Sequence, residues 1–218
     1  FIFILSLFLY YNLLYCQNEF YNNGAVVYLS SGASSTTPTL FVNGNLFNQD
    51  GEFTNDGSFL ELKGNITNNP TSYHYISTGI ERFTGNSNQT IYGSWNGTTS
   101  NQDQFYTLKI NKSSSTGENI ILDNSVTGNT VKINAGGSLV FESSNGIIRT
   151  QSTSTTSPYT GDYTNTLYVQ NPSTSAISGH SSGNGATTKY IEGKLRRQVS
   201  SGTYFFPVGV EKTGFDGM

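Results

Sequence analysis

Four carboxylates crowd one stretch of this chain, Asp50, Glu52, Asp56 and Glu61. Clustered acids on one face of adjacent strands are what polysaccharide hydrolases and lyases use to break glycosidic bonds. The same oxygens would suit Ca²⁺, a hard cation that collects carboxylates and carbonyls. Their immediate context favours a plainer role. Asp50 and Asp56 each precede a glycine, which is turn chemistry, and Glu61 alternates with Leu60 and Leu62 as the outward residue of a half-buried strand does. Neither an Asp-x-Asp-x-Asp loop nor a Gly-Gly-x-Gly-x-Asp nonapeptide is present. His74, within Tyr73-His74-Tyr75, and His180, in a Gly/Ser loop, lie far apart with no acidic or cysteine companion at ligand spacing, so no metal site is expected. A phosphate-cradling Gly-Lys-Ser/Thr run is also missing. The expectation is a chain without catalytic residues, cofactor or metal.

Aromatic rings offer a second kind of chemistry, because Tyr and Trp stack on the apolar faces of sugars. Tyr92-Gly93-Ser94-Trp95-Asn96-Gly97 holds the only tryptophan, in a turn-rich stretch. Tyr92 and Trp95 are therefore the candidate glycan platform, with packing beneath a loop the favoured alternative for Trp95. Lys194, Arg196 and Arg197 read as the polar face of a strand, ahead of a polyanion contact. A net charge of −3 gives no electrostatic footprint for nucleic acid.

The elements that would position these residues are short strands. Charged residues are 11% of the chain, well under the roughly 25% of ordinary soluble domains, yet 13% aromatics supply enough burial to order it. Turn dipeptides recur at Asn23-Gly24, Asn43-Gly44, Asp50-Gly51, Asp56-Gly57, Asn96-Gly97 and Asn145-Gly146. Strand-like runs lie between them, among them 25–29, 59–62, 105–110, 130–133, 138–141 and 166–170. In 106–111, Tyr106, Leu108 and Ile110 alternate with Thr107, Lys109 and Asn111, the period of a half-buried strand.

Gly44-Asn45-Leu46-Phe47-Asn48-Gln49 is echoed 20 residues later as Gly64-Asn65-Ile66-Thr67-Asn68-Asn69, with a weaker copy at Gly51-Glu52-Phe53-Thr54-Asn55. Such a period fits one coil of a stacked array whose Asn residues hydrogen-bond along the stack. The expected fold is all-β, a right-handed parallel β-helix or β-solenoid, preceded by a helical signal peptide. A β-sandwich is the alternative, especially for the C-terminal part, because Asn-Gly is an equally good hairpin signal.

The leader expectation rests on the apolar run Phe1–Leu9 and its continuation to Cys16. The run is too short for a membrane span, which needs roughly 20 residues. Cleavage between Cys16 and Gln17 would give a mature chain without cysteine; acylation of Cys16 is the rival, disfavoured by the bulky Tyr15. The expected organisation is a signal peptide over 1–16, a solenoid-like repeat region over 17–150, and Ser/Thr/Gly-rich loops with one strand over 151–188. A further β segment, cut short, would occupy 189–218.

Phe83-x-Gly85-x-x-x-Gln89-x-Ile91-x-Gly93 followed by Phe105-x-x-Leu108-x-Ile110-Asn111 resembles recurring segments of large secreted surface proteins of Bacteroidetes bacteria. Tyr190-Ile191-Glu192-Gly193-Lys194-Leu195-Arg196-Arg197 and Tyr204-Phe205-Phe206-Pro207-Val208-Gly209 are similar to the block that closes the same region. The resemblance implies export to the cell surface or medium, often by the type IX system, with an adhesive or structural role, polysaccharide or cell-surface glycans as partners, and no catalytic residue to transfer. An N-terminal region of a carbohydrate-active enzyme, with catalysis beyond residue 218, is the alternative expectation.

Overall fold

Alternating apolar and polar residues, interrupted every few positions by Gly, Asn or Asp, fold here as strands and corners. The computed structural model describes residues 13–16, 19–31, 37–71, 73–76, 78–97, 103–113, 119–123, 130–143, 145–150, 165–180 and 189–209, and none of these is helical. The strands in chain order begin β1 (Leu13–Cys16), β2 (Glu19–Asn22), β3 (Val26–Ser30), β4 (Thr39–Val42), β5 (Asn45–Asn48) and β6 (Glu52–Asp56). There follow β7 (Phe59–Leu62), β8 (Ile66–Asn68), β9 (Tyr73–Ile76), β10 (Ile80–Gly85), β11 (Gln89–Gly93), β12 (Phe105–Lys112) and β13 (Asn119–Asp123). The last are β14 (Thr130–Phe141), β15 (Ile147–Arg149), β16 (Thr166–Val169), β17 (Ile177–Ser178), β18 (Ile191–Glu192), β19 (Lys194–Arg197) and β20 (Val208–Gly209).

Consecutive strands do not pair with each other. The first sheet orders β1-β4-β7-β10-β12-β14-β16-β19 with β17 also on β14; the second orders β2-β5-β8-β11-β13-β15-β18-β20; the third is β3-β6-β9. Every pairing between these strands is parallel, and among the described residues one isolated antiparallel bridge joins Lys112 to Asn145. The antiparallel hairpins of the sandwich alternative do not form among the described strands. β18, β19 and β20 of the C-terminal block extend the first two sheets in parallel. Asn-Gly and Asp-Gly serve as corners between sheets instead, which explains why a good hairpin signal misleads: the dipeptide eases a sharp turn, with positive φ at Gly24, Gly57 and Gly146, but does not set the direction of the next strand.

The sequence echo is a register. Leu46, Phe47 and Asn48 of β5 stand opposite Ile66, Thr67 and Asn68 of β8. The weaker copy at 51–55 belongs to a different sheet, where Phe53 of β6 pairs with Val27 of β3. Two runs read as separate strands, 130–133 and 138–141, are one strand, β14. It bulges against β12, whose Phe105 faces Ile133 while Thr107 faces Ser138. Gly137 allows the bulge, since a Cβ there would lie 1.9 Å from the Tyr106 carbonyl oxygen. Of the expected helical leader only Leu13–Cys16 is described, and it is a strand on the edge of the first sheet, paired with Thr39–Val42.

Inward residues align into ladders. Val42, Leu62, Phe83, Ile110 and Phe141 follow one another across the first sheet, and Leu46, Ile66, Ile91 and Leu122 across the second, all at most 2% exposed. Fully burying one such side chain stabilises by about 1.5–3 kcal/mol. A polar ladder runs beside them. The Asn22 amide donates to Asn48 Oδ1, Asn48 to Asn68 Oδ1 and Asn68 to Asp103 Oδ1, each at 2.9 Å. An amide donates on one side and accepts on the other, so Asn22, Asn48 and Asn68 each have both ends of the carboxamide bonded.

Candidate functional site

Alternation that buries Leu46, Asn48, Ile66, Asn68 and Ile91 turns the intervening residues of the second sheet outward. Two rows result. Tyr21, Phe47, Thr67 and Tyr92 stand in register on β2, β5, β8 and β11. Tyr21 is 59% and Tyr92 40% exposed, Phe47 is half-buried, and the Tyr21 and Phe47 rings lie 5.8 Å apart at 46°. Beside this aromatic row run Glu19, Asn45, Asn65 and Thr90. Asn45 Oδ1 accepts the Asn65 N–H and Asn65 Oδ1 accepts the Thr90 N–H, both at 2.8 Å. Neighbouring backbone thus engages both amide oxygens, and the Asn45 NH₂ group donates to Glu19 Oε1 at 3.4 Å. The face combines apolar rings with amide and hydroxyl groups at fixed positions on a rigid sheet.

The two residues proposed from sequence as a platform part company. Tyr92 belongs to the outward row. Trp95 is fully buried, stacked on Phe105 at 4.4 Å and 10°, with Nε1–H donated to the Tyr92 carbonyl at 2.9 Å. It offers no ring face to a sugar, and the corner it fills is the reason: Gly93 turns the chain with φ of +100° directly over Asn68. Tyr21 and Phe47 escaped the sequence reading. Their signal was an aliphatic or aromatic residue, an outward residue and Asn, repeated as Phe20-Tyr21-Asn22, Leu46-Phe47-Asn48 and Ile66-Thr67-Asn68.

The four acids do not converge. Glu52 and Asp56 sit on β6 of the third sheet, where Glu52 accepts from Thr54 Oγ1 and Asp56 from the Tyr28 hydroxyl, each at 3.0 Å. That bond, with burial, raises the Tyr28 phenol above its ordinary range. Asp50 is exposed at the preceding corner. Glu61 faces out from the first sheet, 3.3 Å from Arg82. Among the described residues no three His, Cys, Asp or Glu side chains are placed to share a metal.

Charge collects on the outer face of the first sheet instead. Arg82 lies 2.7 Å from Glu142, and Lys109 is also 2.7 Å from it, while both cations sit over the Phe59 ring. Burial works against the Glu142 carboxylate, but Lys109 and Arg82 outweigh it and hold the carboxyl below its usual range. Burial likewise opposes the charge on Arg82, and Glu142 and Glu61 outweigh that. The basic cluster is divided by its strand: Arg196 stacks outward over Tyr168 at 4.2 Å, whereas Arg197 is buried and donates to the carbonyls of Ser173, Thr174 and Phe205. A Gly-x-Ser-x-Gly pattern, against the expectation that no such elbow occurs, is present at Gly179-His180-Ser181-Ser182-Gly183. A nucleophile elbow needs a strand running into a helix; β17 precedes this one, and Ser181 to Gly183 lie outside the described residues. His180 stacks on Phe205 at 4.4 Å.

No protein-family model, no curated protein and no solved structure matches this chain.

Proposed function

We propose that this chain is an exported, non-catalytic surface protein with a structural or adhesive role, its strands wound as a right-handed β-solenoid. The observation that carries the reading is the parallel pairing in which each inner strand of the first two sheets lies between an earlier and a later one, with β2, β5 and β8 stitched by the buried asparagine ladder. A stack of this kind is stable through neighbour contacts alone and extends without disulfides. Right-handed winding follows from the strong preference of parallel crossovers for that hand. A Ser/Thr/Asn exterior suits contact with hydrated surfaces, and the dispersal of Asp50, Glu52, Asp56 and Glu61 favours a non-catalytic role. The apolar run Phe1–Leu9 supports export; no helix among the described residues is long and apolar enough to cross a membrane.

Protease treatment of intact producing cells tests the reading. The protein is expected to be shaved from the cells, or found in the medium, while a cytoplasmic marker survives. Recovery of the protein only after lysis would overturn it.

A further inference from the structure

We propose that the outer face of the second sheet between Tyr21 and Tyr92 binds an extended, uncharged polysaccharide whose chain runs across the strands. The proposal deepens the adhesive reading above and rests on it only in needing this face to meet extracellular polymer. Three features of the face carry it.

The first is spacing. Adjacent strands of a sheet lie roughly 4.8 Å apart, so Tyr21 on β2 and Tyr92 on β11, three strands away, are separated by roughly 14 Å. Between them Phe47 and Thr67 occupy the two intermediate positions of the same row. A row with one side chain per strand matches a polymer whose sugar rings repeat at a similar interval, and it is too long for a single sugar to cover.

The second is chemistry. Tyr21 and Tyr92 present exposed aromatic surface to the apolar C–H faces of pyranose rings. The parallel row of Asn45, Asn65 and Thr90 supplies hydrogen-bonding groups to the ring hydroxyls. Asn45 and Asn65 are each fixed by a backbone N–H of the next strand, and Asn45 also by a long 3.4 Å bond from its NH₂ group to Glu19, so both amides are held in place before any ligand arrives, which reduces the entropic cost of binding.

The third is charge. Neither row contains Lys or Arg from β2 to β11; carboxylates stand only at the margins, Glu19 at one end of the polar row and Asp123 one strand past Tyr92. An acidic polysaccharide would find no Lys or Arg along the two rows to pair with, whereas a neutral one needs none.

Affinity electrophoresis of the purified chain in gels containing β-glucan, xylan or mannan, compared with alginate and polygalacturonate, tests the proposal. At least one neutral polymer is expected to retard the protein, and the acidic polymers are not. Tyr21→Ala and Tyr92→Ala should each weaken retardation about three- to ten-fold, and the double variant should lose it. Tyr28→Ala, which removes a tyrosine 59% exposed on the third sheet, should leave binding intact. All three tyrosines are on the surface, and circular dichroism verifies that the variants fold. Retardation by acidic polymers only, by none of the neutral ones, or undiminished in the double variant would overturn the platform. A protein that is shaved from cells but binds no neutral polymer loses this inference alone; one confined to the cytoplasm loses the adhesive reading instead.

Discussion

The first three strands of each sheet and the later ones share the same parallel pairing but are stitched differently. On β2, β5 and β8 the buried stitch is a run of carboxamides: Asn22, Asn48 and Asn68 pass hydrogen bonds from strand to strand at steps of 26 and 20 residues, and the run ends on the Asp103 carboxylate. Towards the C-terminus charged stitches appear as well. Arg149 reaches the buried Glu192 at 2.9 Å across 43 residues, and Arg197 gathers three carbonyls. The third sheet contributes only to the first region, since β9 is its last strand. The difference teaches that a ladder of carboxamides needs each strand to return an Asn to the same register; in the later region single carboxamides bond backbone instead, as Asn165 does to the Leu122 carbonyl at 2.7 Å. Arg149 and Arg197 work beside them there, with the desolvation cost that a charge carries.

The largest effect tests what the two regions have in common. Phe83 is fully buried in the apolar ladder between Leu62 and Ile110, and Phe83→Ala should cost about 3–5 kcal/mol in chemical denaturation. A much smaller loss would mean that neighbouring strands collapse into the gap and that the stack is less rigid than its register implies.

The stitches themselves come next. Arg149→Met leaves the Glu192 carboxylate buried without that partner and should cost about 3 kcal/mol. Asn48→Ala removes the donor to Asn68 and should cost about 2 kcal/mol, the price of one poorly satisfied buried polar group. Comparing urea midpoints with and without added salt sharpens the contrast: stability lost through Arg149→Met should depend on ionic strength, and that lost through Asn48→Ala should not. Equal salt dependence would erase the distinction between the two regions.

The smallest effect concerns the exposed charges of the first sheet. The folded Glu142 carboxyl titrates below its ordinary value near 4.5, so it contributes stability above that pH and loses it as pH falls through the lowered folded value. Solvent screening limits the contribution to about 0.5 kcal/mol. Glu142→Gln should therefore destabilise slightly at pH 7 and be indistinguishable from the parent at pH 3, as read from denaturation midpoints.

Much of this architecture was legible before any coordinates. Period-two alternation in 106–111 and 130–133 marks strands because a pleated backbone sends successive side chains to opposite faces. The Gly44 and Gly64 echo marks stacking because residues that occupy equivalent positions meet equivalent environments. Trp95 was less legible: in a turn-rich run packing beneath a loop was the favoured reading over a surface platform, and its partner in that packing, Phe105, shows only in the fold.

Sequence alone determined that the described chain is built of short strands with corners at Gly, Asn and Asp, since φ, ψ preferences and hydrophobic period are local properties. Tertiary structure decided which strands share a sheet, that they pair in parallel, and that Tyr21, Phe47 and Tyr92 form one row. Those residues are separated by unequal lengths of chain, and alignment across unequal steps is set by which inward side chains pack on one another. That packing is a property of the stack as a whole.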